Sequence, residues 1–185
     1  MGTFNINVGG DIFADLTTDV DSYTIIAHGV NVKGVMGGFA ALIDKKFPVD
    51  ADEYRRACES GMLTVGNTHL TGVEDAPEGP NLLIAHVASQ ENPGPDAKVM
   101  WLVSALEDLA HQVDEYLSGS DEIRNQVTIR LPLIGGGIGG IDPLVSAAII
   151  RMFAEHLRKG CGASTVLYLL ESDPHTEAVV AAVGG

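Results

Sequence analysis

The sequence predicts an α/β fold in which a central sheet lies between two layers of helices, a three-layer α/β/α sandwich. Strand-like and helix-like segments alternate along the chain, as they do in parallel βαβ units. Two strand-like runs, residues 23–28 and 81–88, are largely apolar, which is typical of strands covered on both faces. Hydrophobic residues make up 45% of the 185 residues and aromatic residues only 5%, so we expect an aliphatic core. The length favours one domain over residues 1–185, with ligands at the carboxyl ends of the strands.

The first half of the chain opens with two predicted strands. Residues 3–8 alternate polar and apolar side chains, and residues 23–28 form a largely apolar run. A glycine-bearing loop over residues 29–38 follows the second strand. Residues 39–47 have the pattern of a short helix, which we expect Pro48 to end.

Polar signals dominate the segment that follows. Asp50 and Glu53 have the spacing of a capping box, which predicts a helix over residues 50–59. Residues 62–65 indicate a short strand. Residues 66–80 are polar and rich in Gly and Pro, so we expect a mobile insertion there.

The second half repeats the pattern of a strand followed by a helix. Its clearest helix covers residues 99–117, where apolar residues keep helical spacing and charged residues lie opposite. Asp142 and Pro143 are the residue types favoured at an N-cap and at the first helical position. In chain order the predicted elements are strand 81–88, helix 99–117, strand 126–131, helix 144–158, strand 164–170 and helix 176–183.

Acidic residues outnumber basic ones by 25 to 11, which gives a net charge of −14. A field of that sign repels DNA and RNA as extended polymers, so we expect no extended nucleic-acid partner. One small phosphate-bearing ligand stays compatible with this charge, provided that local dipoles hold it. No apolar run has the length of a membrane span, and the N-terminus lacks the features of a signal peptide. The chain is therefore predicted to be cytoplasmic, without a membrane partner.

The titratable residues suited to metals or catalysis give weaker signals. Cys58 and Cys161 fit reduced thiols, and no metal-ligand spacing surrounds either of them. We therefore expect neither a metal ion nor a cofactor. His28 and His86 lie at the end of one predicted strand and inside another, and we interpret them as satisfied core histidines.

The segment LPLIGGGIGGIDP, residues 131–143, contains the strongest local signal. Five glycines occur within six residues after a predicted strand and before a predicted helix. Backbone N–H groups in such a loop can surround an anion, because glycine has no side chain to keep a ligand away. A flexible turn is the alternative interpretation of a glycine run.

Three motifs occur together in one order along the chain. Gly10-Asp11-Ile12 follows the first strand, Asn31 precedes Gly37-Gly38 at a helix start, and the glycine loop of residues 131–140 follows a strand and a proline. The positions between them are Tyr54, Cys58, Gly61, Gly66 and the run Ile84-Ala85-His86-Val87. This set resembles the macro domain family, whose members bind ADP-ribose. The resemblance covers nearly the whole chain, and it implies a mixed sheet between helical layers.

The resemblance also implies roles for individual residues. Asp11 is expected to accept a hydrogen bond from the adenine amino group, and the Ile12 N–H is expected to meet the adenine ring. Asn31 is expected to contact the hydroxyls of the distal ribose, the sugar away from adenine. On local sequence alone, Asp11 is equally well explained as a turn residue that bonds its own backbone, and Asn31 as a left-handed turn residue.

Two loops are expected to hold the diphosphate and the distal ribose. The first loop comprises Val35, Met36, Gly37, Gly38 and Phe39. The second loop comprises Gly135, Gly136, Gly137, Ile138 and Gly139, and the resemblance implies that its amides bind the diphosphate. Two helix starts would then converge on one anion.

Some macro domains only bind ADP-ribose, whereas others hydrolyse its derivatives. The loop patterns of this chain are nearer to the terminal ADP-ribose glycohydrolases and the ADP-ribose 1″-phosphate phosphatases. The glycohydrolases use a Lys nucleophile and an Asp, where this chain has Gln90 and Gly139, so that covalent route is closed. A His used by viral-type members is replaced by Met36.

The remaining enzymatic hypothesis depends on positioning. Asn31 is the candidate catalytic residue, which would orient the distal ribose and a water molecule held by the second loop. The substrate would be ADP-ribose 1″-phosphate, an O-acyl ester of ADP-ribose or an ADP-ribosylated macromolecule. A non-catalytic module that reads or sequesters ADP-ribose is the alternative. A P-loop or Rossmann nucleotide protein is a third hypothesis, but the glycine loop lacks the G-K-[ST] motif and comes late in the chain.

Overall fold

Six strands form one mixed sheet in the computed structural model, which describes residues 2–16, 22–73, 81–117 and 127–184. The strands are β1 (Phe4–Val8), β2 (Tyr23–Asn31), β3 (Thr68–Gly72), β4 (Leu82–Gln90), β5 (Val127–Pro132) and β6 (Ser164–Leu169). Their order is β1-β6-β5-β2-β4-β3, and every neighbouring pair is parallel except β3 with β4. The carboxyl ends of the five parallel strands therefore share one edge of the sheet, which we call the carboxyl edge.

Helices cover both faces of this sheet. Within the described residues they are α1 (Phe39–Lys46), α2 (Pro48–Glu59), α3 (Val99–Leu117), α4 (Pro143–Gly160) and α5 (Thr176–Val183). Ile25 and Ala27 of β2 belong to the core formed with α3, α4 and α5, whereas Ile26 packs with Ile43 of α1. Alternate side chains of one strand thus meet both helical layers. The predicted α/β sandwich of three layers with a mixed sheet is confirmed.

The elements with the strongest sequence signals begin and end close to where we expected them. α3 has the predicted bounds, and Pro143 is the first residue of α4. Asp142 caps α4, because its carboxylate accepts hydrogen bonds from the N–H groups of Leu144 and Val145 at 2.9 Å and 3.2 Å. None of the described helices is both long and apolar enough to pass through a membrane.

The capping box predicted at Asp50 is wrong. α2 begins at Pro48, since proline is favoured at the first helical position. Asp50 instead lies inside the helix with only 3% of its surface exposed, and it accepts a hydrogen bond from the Thr71 hydroxyl of β3 at 2.8 Å. Burial raises the pKa of this carboxyl. Asp50 therefore joins α2 to the edge of the sheet.

The mobile insertion predicted over residues 66–80 is wrong where the chain forms β3. This strand is antiparallel to β4, and side chains of α3 bind its first residue. Asp108 accepts the Thr68 N–H at 2.8 Å, and Gln112 donates to the Thr68 carbonyl at 2.8 Å. Such a strand escapes detection because a polar edge strand lacks the apolar run of a buried one. Residues 74–80 of the predicted insertion lie outside the described residues.

Two further boundaries differ from the expectation. Residues 62–65 adopt turns and bends, so the short strand predicted there is wrong. β2 continues to Asn31, three residues beyond its predicted end at His28. The longer strand makes Asn31 its last residue, at the carboxyl edge.

Candidate ligand site at the carboxyl edge

Two glycine loops meet at the carboxyl edge. The first loop lies between β2 and α1, and the second loop lies between β5 and α4. A Cβ atom added to Gly38 would come within 2.9 Å of Ile138 Cδ1, so the loops are in direct contact. Gly38 is the N-cap residue of α1 with φ 53° and ψ −127°, a backbone conformation that favours glycine. The structure thus brings together the two loops that the sequence motifs paired.

Both loops present backbone N–H groups that have no acceptor within the described part of the chain. In the first loop these belong to Met36, Gly37, Gly38 and Phe39. In the second loop they include those of the exposed residues Gly137 and Ile138. The start of α1 has no side-chain cap, so the positive end of its dipole is also open. Open backbone donors arranged in this way can bind an anion.

The glycines of the second loop serve different purposes. Added Cβ atoms at Gly135, Gly136 and Gly139 would lie 2.8 Å, 2.7 Å and 2.9 Å from neighbouring side chains. Gly136 also donates its N–H to the Leu133 carbonyl at 3.2 Å. These three glycines let the loop pack against the protein, and Gly139 is itself buried. Only Gly137 of the four faces open space, with no atom within 4 Å of an added Cβ.

Asn31 holds the backbone that leads into the first loop. Its Nδ2 donates to the Val35 carbonyl at 2.6 Å, and its Oδ1 accepts the N–H groups of Lys33 at 3.0 Å and Val35 at 3.3 Å. Only 5% of its surface is exposed. The alternative of a left-handed turn residue is wrong, because Asn31 is the last residue of β2 and its φ is not positive. Its side chain instead holds the turn that follows, and the second N–H of its amide has no acceptor among the described residues.

The loop after β1 carries Asp11 and Ile12 at the same edge of the sheet. Asp11 is exposed, and its Oδ1 accepts the Phe13 N–H at 2.9 Å, as expected for a turn residue. The Ile12 side chain is buried against α1, and its N–H has no acceptor among the described residues. The local role of Asp11 leaves its second carboxylate oxygen available to a ligand.

Arg130 was not anticipated from the sequence. Its Nη1 donates to the carbonyls of Ile12, at 3.1 Å, and Ala14, and its Nη2 donates to the Asp15 carbonyl at 3.0 Å. A residue of β5 therefore fixes the loop that carries Asp11 and Ile12. The sequence feature that could have indicated such a role is that Arg130 is the single charged residue in the strand Val127–Pro132.

Aromatic packing joins the loop after β1 to the first loop. The rings of Phe13 and Phe39 are stacked, with centroids 5.8 Å apart and planes 6° from parallel. Phe13 also contacts Phe47 at the end of α1, with centroids 6.1 Å apart. The position of Phe39 at the start of α1 therefore depends on the loop that carries Asp11.

His28 of β2 and His86 of β4 lie side by side in the sheet. His28 Nε2 is 2.9 Å from His86 Nδ1, and both side chains are fully buried. The expectation of core histidines is confirmed, but they are not satisfied, because His28 Nδ1 and His86 Nε2 have no partner in the described structure. Burial lowers the pKa of His28 to about 3 and lowers that of His86 well below its ordinary value. Two neutral, buried rings cannot reach a ligand as a general base.

Gln90 ends β4 at the carboxyl edge. Its side-chain Nε2 donates to the Gly94 carbonyl at 2.5 Å, and the backbone carbonyl of Gln90 accepts a hydrogen bond from the Val32 N–H at 3.1 Å. The side chain therefore closes the loop after β4. Its carboxamide is not a nucleophile.

Comparison with known proteins places these features in a family. A family model described as the macro domain matches residues 27–161. The ADP-ribose 1″-phosphate phosphatase of Candida albicans is 29% identical over 136 residues, which are 72% of this chain and 83% of that protein. The DNA ADP-ribosyl glycohydrolase of Mycobacterium tuberculosis is 27% identical over 120 residues, which are 63% of this chain but only 31% of that protein.

Solved structures share the fold. The macrodomain of Mycobacterium tuberculosis DarG has a TM-score of 0.71 at 21% identity, covering 91% of this chain and 99% of its own. Thermosipho africanus DarTG, solved in complex with ADP-ribose, has a TM-score of 0.74 at 17% identity, covering 98% of this chain and 46% of its own. The matched family model spans most of this chain and includes both glycine loops. The chain therefore belongs to the macro domain family.

Proposed function

We propose that this protein binds ADP-ribose at the carboxyl edge, with the diphosphate between the amides of the first and second loops. The observation that carries the proposal is the contact of the two loops at Gly38 and Ile138, beside N–H groups that have no acceptor in the described structure. A diphosphate carries two negative charges, and backbone donors at a helix start bind such anions without a basic side chain. A chain of net charge −14 would hold an anionic ligand in this way.

The rest of the ligand would extend from the diphosphate in two directions. Adenine would bind beside Asp11 and the Ile12 N–H, in the loop that Arg130 holds. The distal ribose would bind beside the first loop, where the remaining N–H of the Asn31 amide meets a hydroxyl. Val35 to Phe39 would line this end of the site, and Gly137 and Ile138 would contact the phosphates.

The proposed reaction is hydrolysis of an ADP-ribose derivative at its distal ribose. Asn31 would orient that ribose, and the second loop would position water and stabilise the developing negative charge. ADP-ribose 1″-phosphate has the most support as substrate, because the Candida albicans relative is named as a phosphatase of this compound. Gln90 and Gly139 supply neither an amine nor a carboxylate, so the reaction would proceed without a covalent Lys intermediate.

A DNA end is a less favourable substrate because of the charge around the site. In the described loops of the carboxyl edge, exposed acidic side chains outnumber exposed lysines, and like charges repel a polyanion. The acidic residues are Asp11, Asp15, Glu91, Asp142 and Glu171, and the lysines are Lys33 and Lys98. We further propose a cytoplasmic location, which the free thiols of Cys58 and Cys161 support.

A module that binds ADP-ribose without hydrolysing it is the second candidate. His28 and His86 are buried and neutral, and most of the hydrogen-bonding capacity of Asn31 is used within its own loop. Both observations limit the acid–base chemistry available to a bound ligand.

Two experiments test these proposals. Calorimetric titration with ADP-ribose measures binding, and the absence of any heat or any rise in melting temperature at millimolar ligand would refute it. Incubation with ADP-ribose 1″-phosphate, O-acetyl-ADP-ribose and an ADP-ribosylated peptide or DNA end separates the enzyme from the binding module. Turnover that is lost in a folded Asn31→Ala variant supports the enzyme, and binding without turnover of any substrate supports the module.

A further inference from the structure

Two side chains of α2 converge on one backbone atom at the end of β2. The Tyr54 hydroxyl donates to the Asn31 carbonyl at 2.6 Å, and Cys58 Sγ, one helical turn later, lies 3.9 Å from the same oxygen. Tyr54 has no exposed surface. Burial raises the pKa of its hydroxyl, so this group stays protonated and continues to donate.

The register of the sheet explains why this carbonyl meets a side chain. The pairing of β2 with β4 shifts between Val30 and Asn31, so that Asn31 lies opposite Gln90. A register shift of this kind turns the backbone away from the regular ladder. The Tyr54 hydroxyl meets the carbonyl at the residue where the shift occurs.

Asn31, whose carbonyl accepts the Tyr54 hydrogen bond, also holds the backbone that leads into the first loop. Through its side chain, Asn31 bonds both the N–H and the carbonyl of Val35, the first residue of that loop. Gly34 lies against the same helix, because an added Cβ would be 3.9 Å from Cys58 Cβ. A displacement of the Asn31 backbone would therefore move Val35 and the amides that follow it.

Tyr54 is itself held in place by the core. Its ring is stacked on His86, with centroids 5.1 Å apart and planes 20° from parallel. His86 in turn contacts His28 of β2. Removing only the hydroxyl would leave this packing intact, so the contribution of the hydrogen bond can be measured separately from that of the ring.

We propose that Tyr54 is a positioning residue, whose hydroxyl acts through Asn31 to set the first-loop amides for the distal half of ADP-ribose. This role rests on the proposed function. It separates two parts of one ligand: the distal ribose and second phosphate depend on Tyr54, whereas adenine and its ribose, held by the loop after β1, do not.

The test compares ADP-ribose with AMP, which contains adenine, one ribose and one phosphate. In Tyr54→Phe, ADP-ribose should bind about 5- to 10-fold more weakly, as expected for the loss of one hydrogen bond, while AMP binds as in the wild type. Tyr23→Phe is the matched control, because Tyr23 begins β2 at the opposite edge of the sheet and should leave both affinities unchanged. A general loss of stability would not change the ratio of the two affinities in folded protein.

Hydrogen exchange provides a measurement that needs no ligand. The Val35 N–H, which donates to Asn31 Oδ1, should exchange several-fold faster in Tyr54→Phe, with no such change in Tyr23→Phe. Unchanged exchange and an unchanged ratio of ADP-ribose to AMP affinity would overturn the role of Tyr54 while leaving the proposed function intact. A wild-type protein that binds neither ligand would overturn the proposed function and this role with it.

Discussion

A charge placed at Gly137 is the most direct test of the anion site. An added Cβ at Gly137 meets no atom within 4 Å, so a larger residue fits there without disturbing the protein. We therefore expect Gly137→Glu to change the free energy of unfolding by less than about 0.5 kcal/mol. The new carboxylate would, however, lie beside the N–H groups that are proposed to hold the diphosphate.

The expected loss of affinity follows from the repulsion between like charges. Two unit charges about 6 Å apart interact by about 3 kcal/mol at an effective dielectric constant of about 20. The Glu side chain can swing toward water, which lowers the repulsion. We expect a loss of about 2–3 kcal/mol, which weakens ADP-ribose binding about 30- to 150-fold.

Calorimetric titration of four proteins isolates this effect. Gly137→Gln has nearly the same size without the charge, so it should lose much less affinity than Gly137→Glu. Gly160→Glu adds the same charge at another open glycine, which ends α4 about 27 Å from that helix's start, and should bind like the wild type. Raising the salt concentration should recover part of the affinity of Gly137→Glu only. Wild-type affinity in Gly137→Glu would refute the proposed position of the diphosphate.

The other predictions concern the parts of the fold that support the site. Arg130→Met removes the donors to the Ile12, Ala14 and Asp15 carbonyls, so it should lower the free energy of unfolding by about 1–3 kcal/mol. It should also weaken the binding of ADP-ribose more than that of ribose 5-phosphate, which lacks adenine. Equal losses of the two affinities in titration would contradict the adenine role of this loop. His28→Gln should reduce the stability that the protein loses on acidification. The pKa of His28 is lowered to about 3 in the folded protein, so below pH 6.5 only the unfolded chain binds a proton at this residue. The free energy of unfolding of the wild type should therefore fall by about 2 kcal/mol between pH 7 and pH 5 because of this residue. Urea unfolding at both pH values measures this; the exposed control His111→Gln should keep the wild-type loss, and a His28→Gln variant that also keeps it would contradict the reasoning.

The elements that were predicted correctly are those whose sequence pattern extends over many residues. α3 presents apolar side chains over several turns, and no competing pattern interrupts them. The start of α2 depends instead on one choice between two local signals, and Pro48 prevailed over the capping box at Asp50. β3 forms because α3 and β4 supply its hydrogen bonds, which are tertiary contacts that its own residues do not encode.

The candidate site shows the same division. The glycine content of the second loop indicated an anion-binding backbone, but only the structure distinguishes Gly137, which is open, from Gly136, which packs on Leu133. Arg130 and Tyr54 act on carbonyl groups far away in the sequence, so no local motif points to their contacts. The assignment of the site residues to ADP-ribose, and the extent of the domain over residues 1–185, stay predictions.

The contact between Gly38 and Ile138 also has a consequence for how the protein folds. The two loops come from distant parts of the chain and become neighbours only after β2 and β5 have paired. A partly folded chain without that long-range pairing has at most half of the proposed anion site, and closing the intervening segment costs entropy. The ligand would therefore recognise the completed sheet and not its fragments, and its presence in the cell would favour the chains that had finished folding.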